Sequence, residues 1–204
     1  MMRQKTFTFR GVELEYLNHR YNHASRNMRS IEVPIVMRYL RQFDPRRVLE
    51  VGNVLRHYVS PCTWACVDAN ERAKGVYNRD VMTWEPKKRW DLLVSISTVE
   101  HIGHGRYQHI TYKPYTQQEI FEKLLTFLSP NGSLAVTFPL NYNHELDTAI
   151  MDGSLPVNTH FARRLNADNE WEETDMDTAF SIPYGKWRWG GAMALLTAGR
   201  DAWL

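Results

Sequence analysis

Short apolar runs alternate along this chain with segments whose apolar residues recur every three or four positions. The clearest run is Asp91–Ser97, whose centre is continuously apolar, as in a buried parallel strand. Further short strands are predicted at Arg47–Val51, Thr63–Val67 and Ser133–Phe138. Because strands alternate with helices, the pattern predicts an α/β domain with a parallel sheet joined by right-handed crossovers.

Two segments have the spacing of amphipathic helices. The first is Arg29–Phe43, with Pro34 near its beginning, and it leads directly into the first predicted strand. The second is Tyr115–Leu128, where Thr116 can cap the helix and Glu119 follows three residues later. Both helices therefore have an apolar face that can cover the sheet.

The two ends of the chain have a weaker pattern. Phe7–Asn18 alternates apolar and polar residues, which predicts an extended arm or a short helix before the fold proper. Beyond Asn141 we predict a helix near Val157–Leu165 and two late strands, near Ala179–Ile182 and Ala192–Leu196.

Composition narrows the class of protein. The chain has 204 residues, 43% of them hydrophobic, which suits one folded domain spanning 1–204. The net charge is +2, and basic residues are interspersed with acidic ones, so a nucleic acid partner is not indicated. No apolar stretch approaches transmembrane length, and the basic start precedes no apolar run, so no membrane contact and a cytoplasmic location are expected. The two cysteines are predicted to be free thiols, and no metal site is expected. The sequence leaves open whether the chain forms a homo-oligomer.

Acidic residues follow the first two predicted strands of the sheet. Glu50 and Gly52 end the first strand, and Asp68 ends the second. A carboxylate there can accept hydrogen bonds from ribose hydroxyls, and glycine lets the backbone approach a ligand closely. The residues after Gly52 do not form a pyrophosphate loop, which argues against NAD or FAD. Alternatively, the two acids only cap helices or satisfy strand-end amides.

Five segments, in their order and spacing, resemble the class I S-adenosylmethionine (SAM)-dependent methyltransferases: Arg47–Asn53, Val67–Asp68, Asp80–Val81, Trp90–Gly103 and Leu128–Leu134. The resemblance covers roughly residues 22–138. It implies a Rossmann-like, three-layer sandwich with a mostly parallel, seven-stranded sheet and SAM as the cofactor. The sequence departs from the pattern of this family in the loop after Gly52, where Val54 and Arg56 replace the usual second and third glycines.

The resemblance also implies roles for individual residues. Glu50 and Gly52 would frame the methionine part of SAM, and Asp68 would hold the ribose hydroxyls. Asp80 and Val81 would border the adenine. The residues implied to contact the cofactor are Glu50, Gly52, Asn53, Asp68, Asp80, Val81 and Ser97. Ser97, Glu100 and His101 would lie under the transferred methyl group.

Methyl transfer needs a positioned acceptor and a base when that acceptor carries a proton. Glu100 and His101 are the natural candidates for the proton step. His104, His57 and His19 are weaker candidates. Alternatively, His101 is a structural residue bonded to neighbouring backbone.

A small polar acceptor is the predicted substrate. The tetrapeptide that amino-methylating enzymes place after the fourth strand, an Asn, Asp or Ser followed by Pro-Pro and an aromatic residue, is missing. This absence favours O-methylation of a sugar or secondary metabolite, or a simple amine acceptor. The rival is a non-catalytic module that keeps the fold and binds a partner. A nucleotide-sugar oxidoreductase would need a Tyr-x-x-x-Lys pair, but Tyr107 is followed by Thr111.

Two further segments have two interpretations each. Residues 1–29 are predicted to form an N-terminal arm or lid. A polar cluster near its end either folds over the cofactor pocket or is ordinary helix surface; its members are Asn22, Arg26, Asn27, Arg29 and Glu32. Lys186–Trp189 interleaves cations with indoles and could stack a base or sugar ring, or form an edge strand.

Overall fold

The computed structural model of the chain describes residues 5–103, 115–187 and 189–203. His104, Tyr107, Thr111 and Arg188, which bear on the sequence predictions, lie outside these ranges.

The described residues form ten strands and four α-helices. In chain order these are β1 Thr6–Phe9, β2 Val12–Glu15, α1 Arg29–Leu40, β3 Val48–Val51, β4 Ala65–Val67, β5 Val76–Tyr77, β6 Trp90–Ile96, α2 Gln117–Leu125, β7 Leu128–Pro139, α3 His144–Met151, β8 Asn158–Arg164, β9 Trp171–Thr174, α4 Met176–Phe180 and β10 Ala192–Gly199.

Eight of the described strands make one sheet in the order β5-β4-β3-β6-β7-β10-β8-β9. The five strands from β5 to β7 are parallel to one another, whereas β10 pairs antiparallel with β7 and β8, and β9 antiparallel with β8. The prediction of a mostly parallel α/β sheet is confirmed. The sheet has eight strands where the resemblance implied seven, and its two edge strands, β5 and β9, were not predicted from the sequence pattern.

Two apolar clusters cover the two faces of the sheet. One cluster packs α2, α3 and α4 against it through residues such as Ile120, Leu146 and Ala179. The other packs α1 and the β1–β2 hairpin through residues such as Ile31 and Phe7. The three-layer sandwich is therefore confirmed. None of the helices within the described ranges combines the length and the apolar character that crossing a bilayer requires.

The N-terminal arm is extended and is tied to α1 through a carbonyl group that has no partner within the helix. Residues 6–15 form the β1–β2 hairpin, so the extended alternative for this segment is the correct one. Pro34 has no N–H and cannot bond to the carbonyl four residues earlier, which belongs to Ser30. That carbonyl accepts a hydrogen bond of 2.9 Å from Leu17 N instead. The proline thus fixes the arm against the beginning of the helix.

Two predictions near the C-terminus are wrong. Val157–Leu165 was expected to be helical, but it contains β8, which bonds to β10 on one side and to β9 on the other. Ala179–Ile182 was expected to be a strand, but it overlaps α4, whose first turn is capped by Asp175 accepting from Thr178 N at 2.7 Å. In the first case, strand pairing outweighs a helical apolar spacing.

The strand order defines where ligands collect. From β3 the chain runs outward to β4 and β5, then returns to β6 on the other side of β3. This reversal makes the carboxyl ends of β3 and β6 a topological switch point, the place where α/β sheets bind ligands.

Candidate functional site

Three consecutive backbone amides after β3 donate hydrogen bonds to two carboxylates. Asn53 N donates to Asp68 at 3.3 Å, and Val54 N and Leu55 N donate to Glu50 at 2.8 and 2.7 Å. Glu50 lies on β3, and Asp68 directly follows the neighbouring strand β4. The two acids predicted to flank one crevice are therefore brought to the same loop.

The Glu50 side chain is fully buried and its hydrogen bonds are to the protein itself. Besides the two loop amides, its carboxylate accepts a bond of 2.8 Å from Trp64 Nε1. Burial raises the pKa of this carboxyl group, and the three donors oppose that shift. Any contribution of Glu50 to ligand binding therefore passes through the loop that it shapes, and its role at the methionine part stays a prediction.

Asp68 is only half-buried and keeps acceptor capacity. Its Oδ1 accepts from Asn70 N at 2.8 Å and Glu71 N at 2.9 Å, while Oδ2 accepts from Asn53 N. A carboxylate has about four lone-pair sites, so one site remains on Oδ2 among the described contacts. This arrangement fits a ligand hydroxyl at the end of β4.

Gly52 makes a close contact with the protein itself. Its φ is +88°, and a β-carbon added there would lie 2.7 Å from Thr98 Cγ2. Thr98 belongs to the loop after β6, so the missing side chain lets the loops after β3 and β6 pack together. The sequence predicted that Gly52 admits a ligand, whereas the structure shows Thr98 directly over this glycine.

Asp80 and Val81 follow β5 at the edge of the sheet. Asp80 Oδ1 accepts from Met82 N at 2.9 Å, which caps the turn after it. Val81 is buried in the apolar cluster on the α2 side of the sheet. Their predicted place beside an adenine ring stays a prediction.

A cavity of about 220 Å³ lies at the end of β6. It is walled by the segment leading into α1, by the residues after β6, by the end of β7 with the loop after it, and by the segment between α4 and β10. The lining residues are Asn22, Asn27, Met28, Arg29, Glu32, Ser97, Glu100, His101, Pro139, Tyr142, Tyr184 and Trp189. Ser97, Glu100 and His101 are thus brought together with four members of the predicted polar cluster. The fifth member, Arg26, lines a neighbouring groove instead.

Glu32 connects three elements at the wall of this cavity. Its Oε1 accepts hydrogen bonds from Ser97 Oγ at 2.8 Å and Thr137 Oγ1 at 2.9 Å. Its Oε2 pairs with Arg29 Nη1 at 2.5 Å. Burial works against the charge of Arg29, but Glu32, together with Tyr58 and Glu100, outweighs burial and the pKa of the guanidinium is raised. The first turns of α1 are therefore fixed to the ends of β6 and β7.

Glu100 is a buried acid in the wall of the cavity. Its side chain is 1% exposed, and burial raises its pKa to about 8, with the nearby Glu32 adding to the shift and Arg29 opposing it. Its Oε2 has no hydrogen-bond partner within the described ranges. His101 Nε2 lies 3.7 Å from Glu100 Oε1. At neutral pH the carboxyl group is therefore largely protonated and stands beside an imidazole.

Three lining residues have left-handed backbone conformations, which are uncommon for residues with side chains. The φ angles are +39° at Ser97, +49° at Asn22 and +64° at Trp189. Each costs about 1–3 kcal/mol and persists only where the surrounding structure enforces it. Strain of this kind is frequent at functional sites, and three of the seven such non-glycine residues in the described ranges line the cavity.

Two tyrosines in the cavity were missed by the sequence analysis. The ring of Tyr142 lies 5.1 Å from that of His101 and 5.1 Å from that of Tyr184. The signal for Tyr142 is its place just after the buried strand β7, at the carboxyl edge of the sheet. His57 stacks on Tyr21 at 4.3 Å, so this weaker catalytic candidate lies outside the cavity lining. His19 is likewise not a lining residue.

No protein-family model and no curated protein sequence matches the chain. Solved structures do match. The N-methyltransferase NodS from Bradyrhizobium japonicum WM9, in complex with S-adenosylhomocysteine (SAH), is 11% identical over 90% of this chain and 93% of its own, with a TM-score of 0.54. A second NodS structure is 12% identical over 84% and 96%, with a TM-score of 0.50. A SAM-dependent methyltransferase from Thermotoga maritima is 11% identical over 82% and 89%, with a TM-score of 0.48. The two NodS matches show that the chain has the fold of the class I SAM-dependent methyltransferases.

Proposed function

We propose that the protein is a SAM-dependent methyltransferase that methylates a hydroxyl group of a small polar acceptor, a sugar or a secondary metabolite. The observation that carries this proposal is the cavity at the end of β6, where Ser97, Glu100 and His101 meet a buried polar wall. It lies at the ligand edge of a sheet whose fold is that of methyltransferases. SAM-binding candidates lie at the adjoining ends of β3 and β4.

The strand ends offer groups that suit SAM. Asp68 Oδ2 has an acceptor site for a ribose hydroxyl, and Gly52 and Asn53 form the backbone beside it. The buried Glu50 holds the amides of the following two residues and so fixes the loop. When bound, SAM supplies an electrophilic methyl group on a sulfonium. The chain's own contribution is to hold the nucleoside and to present the acceptor.

A hydroxyl acceptor loses its proton as its oxygen gains the methyl group, so a base is needed. We assign that proton to the Glu100–His101 pair. His101 lines the cavity and takes the proton. Glu100 Oε1 lies 3.7 Å from His101 Nε2, and once Glu100 is ionised its carboxylate stabilises the resulting imidazolium. Because burial raises the pKa of Glu100 to about 8, the pair becomes more basic as pH rises through that value.

The walls of the cavity suit a small polar acceptor. Pockets for drug-sized ligands occupy about 300–1,000 Å³, and this cavity of about 220 Å³ is smaller. Asn22, Asn27 and Arg29 supply hydrogen-bonding groups on one side, and Tyr142 and Tyr184 supply ring faces on the other. This combination suits a compact ring that bears hydroxyl groups.

The N-terminal arm, residues 1–29, acts as a lid over this site within one domain of residues 1–204. Asn22 and Asn27 line the cavity from the arm, and Leu17 is bonded to Ser30 at the beginning of α1. Movement of the arm would expose the cavity. The cytoplasm is the expected location of this activity.

One observation favours the rival function, a non-catalytic module that binds a partner. Thr98 lies directly over Gly52, where the sequence predicted room for a ligand, and the loop that follows lacks further glycines. This packing retains the fold and reduces the room for the methionine part of SAM beside Gly52.

Calorimetric titration with SAM and SAH, followed by measurement of SAH release with panels of sugars, phenols and amines, tests both functions. The proposal expects saturable binding of both nucleosides and SAH release that depends on a hydroxyl acceptor. Binding without turnover on any panel supports the module. Absence of binding to either nucleoside refutes the enzyme.

A further inference from the structure

An open groove of about 560 Å³ adjoins the cavity at Trp189, which lines both. The groove is bounded by the arm on one side and by the β8–β9 turn and the segment before β10 on the other. Its principal side chains are His23, Arg26, Arg164, Asp168, Trp187 and Trp189. The methyltransferase proposal assigns no role to this groove.

Arg164 is a nearly buried cation without a carboxylate partner in the described part of the chain. Only 8% of the surface of Arg164 is exposed. Its guanidinium donates hydrogen bonds to the carbonyls of Asn166 at 2.9 Å, Ala167 at 2.9 Å and Arg26 at 3.4 Å. Burial lowers the pKa of this guanidinium, which is the sign of a charge that lacks a counter-ion. Three bonds leave two of the five guanidinium N–H groups for another acceptor.

Arg26 adds a second cation to the same groove. Its side chain is exposed, lines the groove and forms no ion pair with any residue in the described ranges. Asp168 is the acidic lining residue, and it too is in none of the described ion pairs. The two arginines therefore give the groove a positive charge that its acidic residue does not pair. Arginine recognises carboxylates and phosphates through paired hydrogen bonds.

Indole rings lie beside these cations. The Arg164 guanidinium carbon is 4.9 Å from the ring centroid of Trp187. Trp187 Nε1 is buried and has no hydrogen-bond partner in the described part of the chain. His23 stacks at 6.0 Å on Trp189. Flat apolar faces with polar edges are suited to the ring of a ligand that also carries polar groups.

We propose that this groove binds an anionic sugar, with its phosphate or carboxylate on Arg26 and Arg164 and its ring against Trp187. Trp189 borders both spaces, so a sugar in the groove can extend into the cavity. The groove therefore selects methyl acceptors that carry a negative charge. This last step, unlike the binding itself, rests on the proposed function.

The test is a titration of the full chain, without SAM, with four probes: glucose 1-phosphate, glucuronate, glucose and inorganic phosphate. Binding is followed by the indole N–H resonance of Trp187 in ¹H–¹⁵N NMR spectra, assigned with Trp187→Phe. We expect at least one anionic sugar to shift this resonance and to bind at least tenfold more tightly than glucose and than phosphate. Preference for glucose 1-phosphate or for glucuronate identifies which anion the groove takes.

Variants separate a built site from general charge. Arg26→Gln is expected to weaken binding of the preferred sugar about tenfold, as loss of one charged hydrogen bond does. Arg164→Gln is expected to weaken it at least as much. Arg26 makes no described side-chain hydrogen bond, so its variant stays informative even if loss of Arg164 disturbs the fold. Arg41→Gln, an exposed arginine just after the other end of α1, is the matched control and should leave binding unchanged.

Several outcomes overturn the inference. These are no binding of either anionic sugar, equal affinity for glucose, equal affinity for inorganic phosphate, or unchanged affinity in Arg26→Gln. SAM is titrated separately by calorimetry, so the two proposals fail independently. SAM binding without sugar binding overturns only the groove, and sugar binding without SAM binding overturns only the methyltransferase.

Discussion

The hydroxyl group of Ser97 donates a hydrogen bond of 2.8 Å to the carboxylate of Glu32, although 65 positions separate the two residues in the chain. Glu32 lies in the first turns of α1, and Ser97 ends β6. The same carboxylate holds Arg29, so one buried acid fixes both the helix and the cation of the cavity wall. The geometry of the candidate site therefore depends on Glu32.

Glu32→Gln is expected to lower the free energy of unfolding by about 3 kcal/mol, because breaking a buried ion pair leaves one charge without compensation. The amide oxygen can still accept from Ser97 and Thr137, so the loss reports mainly on Arg29. Urea unfolding at neutral pH measures it. Glu172→Gln, which breaks the exposed ion pair with Arg163, is the control, and its free energy of unfolding should stay near that of wild type. Equal effects of the two substitutions would contradict this role of Glu32.

The central strands could be predicted from the sequence because their burial leaves a direct trace. The predictions Arg47–Val51 and Asp91–Ser97 correspond to β3 and β6, where continuous apolar residues follow from burial on both faces. The capping box of Thr116 and Glu119 is also present at the beginning of α2. These features are local, so the sequence carries them.

Features that depend on contacts distant in sequence could not be predicted. β8 exposes polar residues and has a helical apolar spacing, and only its pairing with β10 and β9 makes it a strand. The approach of Thr98 to Gly52 depends on how two loops pack, because their residues are far apart in sequence. The sequence predicted acids and a glycine at the strand ends, but it could not show that they bond to the protein itself.

Gly52→Ala should destabilise the protein beyond the cost of a left-handed backbone. At Gly153, where φ is +68° and no atom lies within 4 Å of an added β-carbon, alanine is expected to cost about 1 kcal/mol. At Gly52 the added carbon overlaps Thr98, so we expect about 2 kcal/mol more. Urea unfolding of the two variants gives the difference.

Thr98→Gly in the Gly52→Ala background tests the cause, because it removes the overlapping atoms. We expect the cost of Gly52→Ala to fall to the backbone cost alone, so that its difference from Gly153→Ala disappears, once the effect of Thr98→Gly by itself is subtracted. If the difference persists, some other contact explains the glycine.

Asp68→Asn tests the ribose contact. The substitution keeps a side-chain oxygen for the backbone amides but removes the charge that strengthens a bond from a ligand hydroxyl. We expect SAM to bind about tenfold more weakly by calorimetry, the loss of roughly 1.4 kcal/mol. Asp152→Asn, an exposed aspartate that also accepts from a backbone amide, is the control. Unchanged affinity with unchanged melting temperature would remove Asp68 from the cofactor site.

Glu100 makes the protein less stable as pH rises. Its pKa is raised by burial to about 8 in the folded protein, whereas an exposed glutamate in the unfolded chain has its ordinary pKa of 4.5. Between these values the folded state holds a proton that the unfolded state has released, so unfolding becomes easier with increasing pH. Below pH 4.5 Glu100 is neutral in both the folded and the unfolded protein, so it causes no loss of stability. Above about pH 8 it is ionised in both, and the loss of stability is complete. One proton contributes a slope of up to about 1.4 kcal/mol per pH unit.

Glu100→Gln should flatten this dependence, because its side chain is neutral at every pH. The decisive window is pH 6.5 to 8, since Asp147, whose pKa burial raises to about 6, contributes mainly below it. We expect urea unfolding to show wild type losing stability across the window more steeply than Glu100→Gln, by the slope that one proton contributes; Glu50, whose pKa burial also raises, is the same in both proteins. Glu122→Gln, an exposed acid on α2, should follow wild type. Parallel curves for wild type and Glu100→Gln would mean that Glu100 is already ionised at neutral pH, and the rise in basicity of the Glu100–His101 pair near pH 8 would then be wrong.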